Sequence, residues 1–100
     1  MGGASLQAQQ EGRASLSGVL DFASVPDVWP QLSQLIGQQA QLEVSLAAVT
    51  SSNSAALALL LEALQHAQAS GCALRFTQLP QGLADLAGLS NVLELLQPPA

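Results

Sequence analysis

Residues 49–64, VTSSNSAALALLLEAL, set a dense cluster of small polar side chains directly before the longest apolar run of the chain, Ala55 to Leu61. From Ser54 to Ser70 the spacing predicts one helix. Leu57, Leu60, Leu61 and Leu64 form its stripe, while Glu62, Gln65, His66 and Gln68 or Ala69 take the other side. Gly71 supplies the stop. A helix opens with unpaired N–H groups, so Asn53 or Ser54 reads as its cap, worth about 1 kcal/mol. No Glu or Gln stands three positions after either, so the reciprocal capping box is missing. Thr50, Ser51 and Ser52 are surplus to the cap and read as solvated loop. They lie beside a helix end whose positive partial charge favours a phosphate or a partner's anionic group.

Working outward, Leu42, Val44 and Leu46 alternate with Gln41, Glu43 and Ser45, which predicts a strand over Gln41 to Leu46. After the helix, Cys72, Leu74 and Phe76 alternate with Ala73, Arg75 and Thr77, a further strand with Arg75 turned from the core. Near the start, Leu6, Ala8 and Ala14, Leu16 alternate on either side of Glu11-Gly12, predicting an antiparallel hairpin. Val25, Trp29, Leu32 and Leu35 or Ile36 fall at helical spacing, with Ser24 as N-cap, Pro26 in the first turn and Gly37 as the end. Pro30 leaves a second reading open, a helix that begins there, because a proline inside a helix removes one hydrogen bond. Pro80 opens a short helix carrying Leu83, Leu86 and Ala87, closed by Gly88. Residues 90–96, SNVLELL, read either as a last helical turn or as an edge strand.

This order interleaves strands and helices, an α/β fold in which helices pack on a mixed sheet. A right-handed crossover makes the third and fourth strands parallel and places both in the interior of the sheet. The hydroxyl cluster then sits at the sheet end where open α/β sheets keep their sites. Residues 1–100 read as a single domain with frayed ends at 1–4 and 97–100.

The 100 residues are 49% hydrophobic and only 9% charged, and thirteen glutamines carry much of the surface polarity. Such a surface costs little to cover, which suits a subunit held against a partner; a compositional habit of the source genome accounts for it equally well. With a net charge of −5 and Arg13 and Arg75 as the only cations, the chain lacks the phosphate neutralisers that nucleic acid demands. Adsorption to anionic lipid is excluded on the same ground. Cys72 is alone, so no internal disulfide forms and a reducing compartment is expected. Met1 to Gln10 has no basic or apolar stretch of a secretory signal, Leu6 breaks the myristoylation pattern after Gly2, and the apolar run is far shorter than the ~20 residues of a bilayer span. The expectation is a soluble cytoplasmic chain without membrane insertion.

Catalytic chemistry finds no constellation. His66 and Cys72 are each unique, no acid is spaced to orient either, no metal set of three or four ligands assembles, and the carboxylates stand singly. His66 follows Glu62 by four residues and reads as solvated with a weak ion-pair neighbour. Neither a cofactor nor an enzymatic role is expected.

The segments LSGVLDFASVPDVWPQL, with Gly18-Val19-Leu20-Asp21 leaving a strand, and VTSSNSAALALLLEALQHAQASG resemble the STAS domain of anti-sigma factor antagonists and anion-transporter tails. Within that family the chain is most similar to the small stand-alone subunit, of toluene-tolerance type, in the bacterial phospholipid ABC transporter of outer-membrane lipid asymmetry. The similarity lies in the G-x-L-D step, Trp29 in the first helix, and two small residues followed by Leu-Ala-Leu-Leu-Leu.

The resemblance implies a STAS-like sheet of about four to five strands with helices packed on it. It also implies a non-catalytic subunit that binds the cytoplasmic ATPase, and through it the permease, peripheral to the inner membrane. Where the family has Asp-Ser-Ser-Gly or Asp-Thr-Gly-Gly, this chain has Asn53-Ser54-Ala55-Ala56. Ser54 matches the hydroxyl that antagonists phosphorylate and transporter subunits set against the ATPase. Asn53 for Asp and Ala56 for Gly depart from the antagonist pattern. The implied docking residues are Ser54, Asn53, Ser52, Ala55, Ala56 and Ala58, with Trp29 either a core residue or an interface anchor. The alternative is an anti-sigma factor antagonist whose Ser54 is phosphorylated.

Overall fold

The computed structural model describes residues 3–10 and 12–96. In chain order the elements are β1 (Ala4–Ala8), β2 (Arg13–Leu20), α1 (Val25–Gln38), β3 (Gln41–Ser52), α2 (Ser54–Ser70), β4 (Ala73–Thr77), α3 (Gln81–Leu89) and α4 (Leu93–Leu96). The sheet order is β1-β2-β3-β4. β1 pairs antiparallel with β2, whereas β2 with β3 and β3 with β4 are parallel. β2 and β3 are interior; the expectation that the fourth strand is interior is corrected, because among the described residues no strand pairs with the outer edge of β4.

Alternation along these strands decides where the helices go. Ala14, Leu16, Leu42, Val44, Leu46 and Phe76 are buried, while Ser15, Ser17, Glu43, Ser45 and Arg75 stay partly or fully exposed. Two successive right-handed crossovers in the same direction along the sheet, β2-α1-β3 and β3-α2-β4, set both helices on the apolar face. α2 lies flanked by α1 and α3. That position explains the breadth of its apolar face: Ala55, Ala56, Leu57, Leu59, Leu60, Ala63 and Ala67 are all buried, while Ser54, Ala58, Glu62 and Gln65 stay exposed along one line. Leu61 and Leu64, assigned to the stripe, are only half-buried.

Among the described residues no helix covers the opposite sheet face. Across it Arg13 opposes Glu43 and Glu43 opposes Arg75, and in the neighbouring row Gln7, Ser15, Ser45 and Thr77 stand in register. Arg13 Nε and Glu43 Oε2 are 3.8 Å apart. The Ser5 and Ser17 hydroxyls share a hydrogen bond at 2.8 Å.

β3 is twice the expected length because two irregularities hide its second half. Its register against β2 slips between Ser15 and Ser17 and again between Gly18 and Val19, each time with one extra β3 residue. The first slip breaks the alternation after Leu46, and the Ser45 hydroxyl accepts the Ala47 N–H at 3.2 Å. Thr50, Ser51 and Ser52 therefore belong to a strand, not to a loop.

α1 starts at Val25 and runs through Pro30 to Gln38, so neither a start at Pro30 nor an end at Gly37 holds. The helix accommodates Pro30 because this residue and Pro26, whose carbonyl loses its helical donor, both lie on the exposed side. Gly71 ends α2 in the left-handed conformation at φ 76°, and Gly88 is internal to α3. Residues 93–96 are helical rather than an edge strand.

The expected fraying at 1–4 meets a different picture in its described half. Ala4 opposes Gly18, and the Gly3 carbonyl accepts the Val19 N–H at 2.9 Å. Residues 1 and 2, the other end at 97–100 and Glu11 of the expected turn lie outside the described residues. Gly12 of that turn has φ 78°.

Gly18 has φ 89°, and a Cβ there would run into the Gly3 carbonyl oxygen. Gly18→Ala is expected to lower unfolding stability by about 1–3 kcal/mol in urea titration. Gly37→Ala, at a helical site with nothing within 4 Å of the added Cβ, should raise it by about 0.4–1 kcal/mol.

Candidate partner-binding site

At the junction of β3 and α2 a single residue, Asn53, separates strand from helix. Its Oδ1 accepts the Ala55 N–H at 2.9 Å and its carbonyl accepts the Ala56 N–H at 2.9 Å. Of the two capping candidates, Asn53 is therefore the one used. Ser54 occupies the first helical position, exposed and not needed for the cap. The first turn of α2 holds no acidic residue, so the partial positive charge of the helix end is left for an outside group.

The alanines divide. Ala58 is exposed, but Ala55 is 5% and Ala56 0% exposed, packed in the core. These two are corrected as surface contacts: buried as they are, they offer almost no area to another chain. Ser52, half-buried, closes β3 opposite Leu20.

That pairing sets the end of β2 beside the end of β3. Beyond Leu20 the chain turns on Asp21, whose Oδ1 accepts the N–H groups of Ala23 at 3.0 Å and Ser24 at 2.9 Å. Ser24, though at the N-cap position, does not cap with its side chain. It is buried, and its hydroxyl donates to the Val19 carbonyl at 2.6 Å and accepts the Asp21 N–H at 3.0 Å. This knot fixes the start of α1 and leaves Phe22 on its outside, 70% exposed. Sequence reasoning missed Phe22. The available signal was a large aromatic residue caught between Asp21 and Ser24, where the periodicity of both flanking elements lapses.

Between α1 and α2 lies a groove of about 320 Å³ lined by Val25, Pro26, Trp29, Ala58, Leu59 and Glu62. Trp29 is half-buried: it packs against the core and walls the groove. Its ring meets His66 edge-on, with centroids 5.7 Å apart and planes at 72°. His66 Nε2 is 3.2 Å from the Ser33 carbonyl oxygen. The reading of His66 as a solvated partner of Glu62 is corrected: it is half-buried and ties α2 to α1. One end of the molecule thus collects Ser54, Asn53, Ser52 and Phe22, with Ala58 and Trp29 in the adjoining groove.

Among the described residues no group of three or more His, Cys, Asp or Glu side chains could hold a metal ion. Cys72 is buried far from this end, at the start of β4, and desolvation pushes its thiol up from the ordinary range. Its nucleophilic form is thereby suppressed.

A family model described as Mlab, STAS domain, matches residues 5–97. A search of curated proteins found no match. Among solved structures, the anti-sigma factor antagonist SpoIIAA in its unphosphorylated form is similar with a TM-score of 0.69 and 15% identity, over 90% of this chain and 82% of that one. The likeness shows the shared fold, a STAS-like α/β arrangement with helices packed on a mixed sheet of four strands.

Removing the cap separates the two neighbouring polar residues. Asn53→Ala should cost about 1 kcal/mol in urea unfolding, whereas Ser54→Ala should stay within about 0.5 kcal/mol. Because its raised pKa leaves little thiolate, Cys72 should react slowly with a chromogenic disulfide near pH 8 and rapidly once the chain is unfolded in urea.

Proposed function

Because the chain belongs to the Mlab-type STAS domain family, we propose that it is the non-catalytic STAS subunit of a phospholipid-transporting ABC complex of outer-membrane lipid asymmetry. It binds the cytoplasmic ATPase subunit, and through it the permease, and supports their assembly and activity. The observation that carries this reading is the opening of α2. Ser54 is exposed, left over from the cap, and set beside a groove walled by Trp29 and Ala58. Small residues there let a partner's backbone approach closely, and aromatic residues at such places anchor interfaces. Ser52, Asn53, Ser54, Ala58 and Trp29 are the contact residues proposed, with Phe22 added. The subunit works at the cytoplasmic side of the inner membrane, held there by its partners. No helix among the described residues is long and apolar enough to cross a membrane.

A second reading, an anti-sigma factor antagonist phosphorylated on Ser54, draws on the same free hydroxyl at an unneutralised helix end. A phosphate there adds a charge of about −1.5 to −2, favourable to the isolated helix but costly inside a packed interface. Mass spectrometry of the protein from cells, showing stoichiometric phosphate on Ser54 with an anti-sigma factor bound, would put this reading first.

The transporter reading predicts that Ser54→Arg abolishes co-purification with the ATPase subunit while the circular dichroism spectrum and the urea midpoint stay unchanged. Undiminished complex yield with this variant would refute it.

A further inference from the structure

The charges of this chain are sorted by face. Both cations, Arg13 and Arg75, lie on β2 and β4 in the row that crosses the helix-free side of the sheet, with Glu43 between them. α1 and α2 contain no Lys or Arg at all, yet carry Asp27 and Glu62. Asp21, at the head of α1, adds a third carboxylate on the helical side. The groove between α1 and α2 therefore faces outward through a negative field, and Glu62 is the charged side chain that lines it.

The rest of that lining is Val25, Pro26, Trp29, Ala58 and Leu59, apolar throughout. A seat of this kind, an apolar floor with one carboxylate at its edge, matches a side chain that has a greasy stem and a cationic tip. An arginine or lysine laid over Trp29 and Ala58 buries its methylenes, gains attraction from the indole face and ends at Glu62. A neutral apolar occupant would leave Glu62 facing it unpaired, and an anionic one would be repelled.

We propose that the α1–α2 groove receives a basic segment of the ATPase subunit, whose Arg or Lys lies along Trp29 and pairs with Glu62. This inference rests on the functional reading above and names the chemistry of the partner surface. Ser54, one helical turn before Ala58 and exposed like it, adjoins the groove as a neutral contact. The attraction steers encounter as well as holding the complex, so it is sensitive to salt in a way that apolar contact is not.

The test is the affinity of the purified chain for the purified ATPase subunit, by biolayer interferometry at 50 mM and 500 mM NaCl. The comparison includes Glu62→Gln, Glu62→Lys and, as a control on the opposite face, Arg75→Gln. The wild type is expected to weaken about tenfold at the higher salt. Glu62→Gln should bind roughly three- to tenfold less tightly at low salt and show a shallower salt dependence, Glu62→Lys should bind more weakly still, and Arg75→Gln should match the wild type. Glu62 is exposed, and its variants should keep the wild-type urea midpoint, which separates lost contact from lost fold. A firm complex indifferent to salt and to both Glu62 variants overturns this inference alone. Absence of any complex with wild-type protein at either salt overturns the functional reading and this inference with it.

Discussion

β3 is hydrogen-bonded on both edges, to β2 and to β4, and both pairings are parallel. A parallel neighbour can be reached only by a crossover, so this one strand obliges the chain to place a helix before it and another after it. The two crossovers share a hand and a direction, and α1 and α2 must then lie side by side on one face. The groove between them, the closeness of Phe22 to Ser54 and the bare opposite face all follow from where β3 sits. Leu42, Val44, Leu46 and Val49 face the helices from β3 and are buried, and the site is assembled at the strand's far end.

Much of this was legible because periodicity and side-chain chemistry agreed. α2 reads directly from Asn53 to Gly71, since its cap, its apolar content and its left-handed stop all mark the same span. The second half of β3 was not legible. A bulge is a backbone event that leaves no residue signature, and after Leu46 it makes Ala47-Ala48 and Thr50-Ser51 look like loop. Pro30 misled in the opposite direction. A proline forbids a donor but not a helix, provided that the orphaned carbonyl lies on the wet side.

The candidate site was half legible for a similar reason. Position along the chain singled out Ser54 and Trp29, of which the first is exposed and the second half-buried. It did not separate Ala55 and Ala56 from Ala58, because the resemblance was carried over as one run of small residues; the exposed line Ser54, Ala58, Glu62 and Gln65 at helical spacing is the signal that separates them. Phe22 and the inward turn of His66 depend on contacts between elements distant in sequence, the Asp21–Ser24 knot in one case and the Ser33 carbonyl in the other. Only three-dimensional placement reveals them. The small hydroxyls that open α2 are thus one short patch with divided duties: strand end, cap and free surface.

β4 closes the sheet with an outer edge that no strand covers among the described residues. Such an edge is a template on which a second molecule could add strands and seed aggregates. Two features of β4 oppose that outcome. It spans only five residues, and Arg75 stands at its middle. In an antiparallel meeting of two copies centred on that residue, arginine would face arginine. The charge that this sparingly charged chain places on its border thereby opposes edge-to-edge pairing of its own copies.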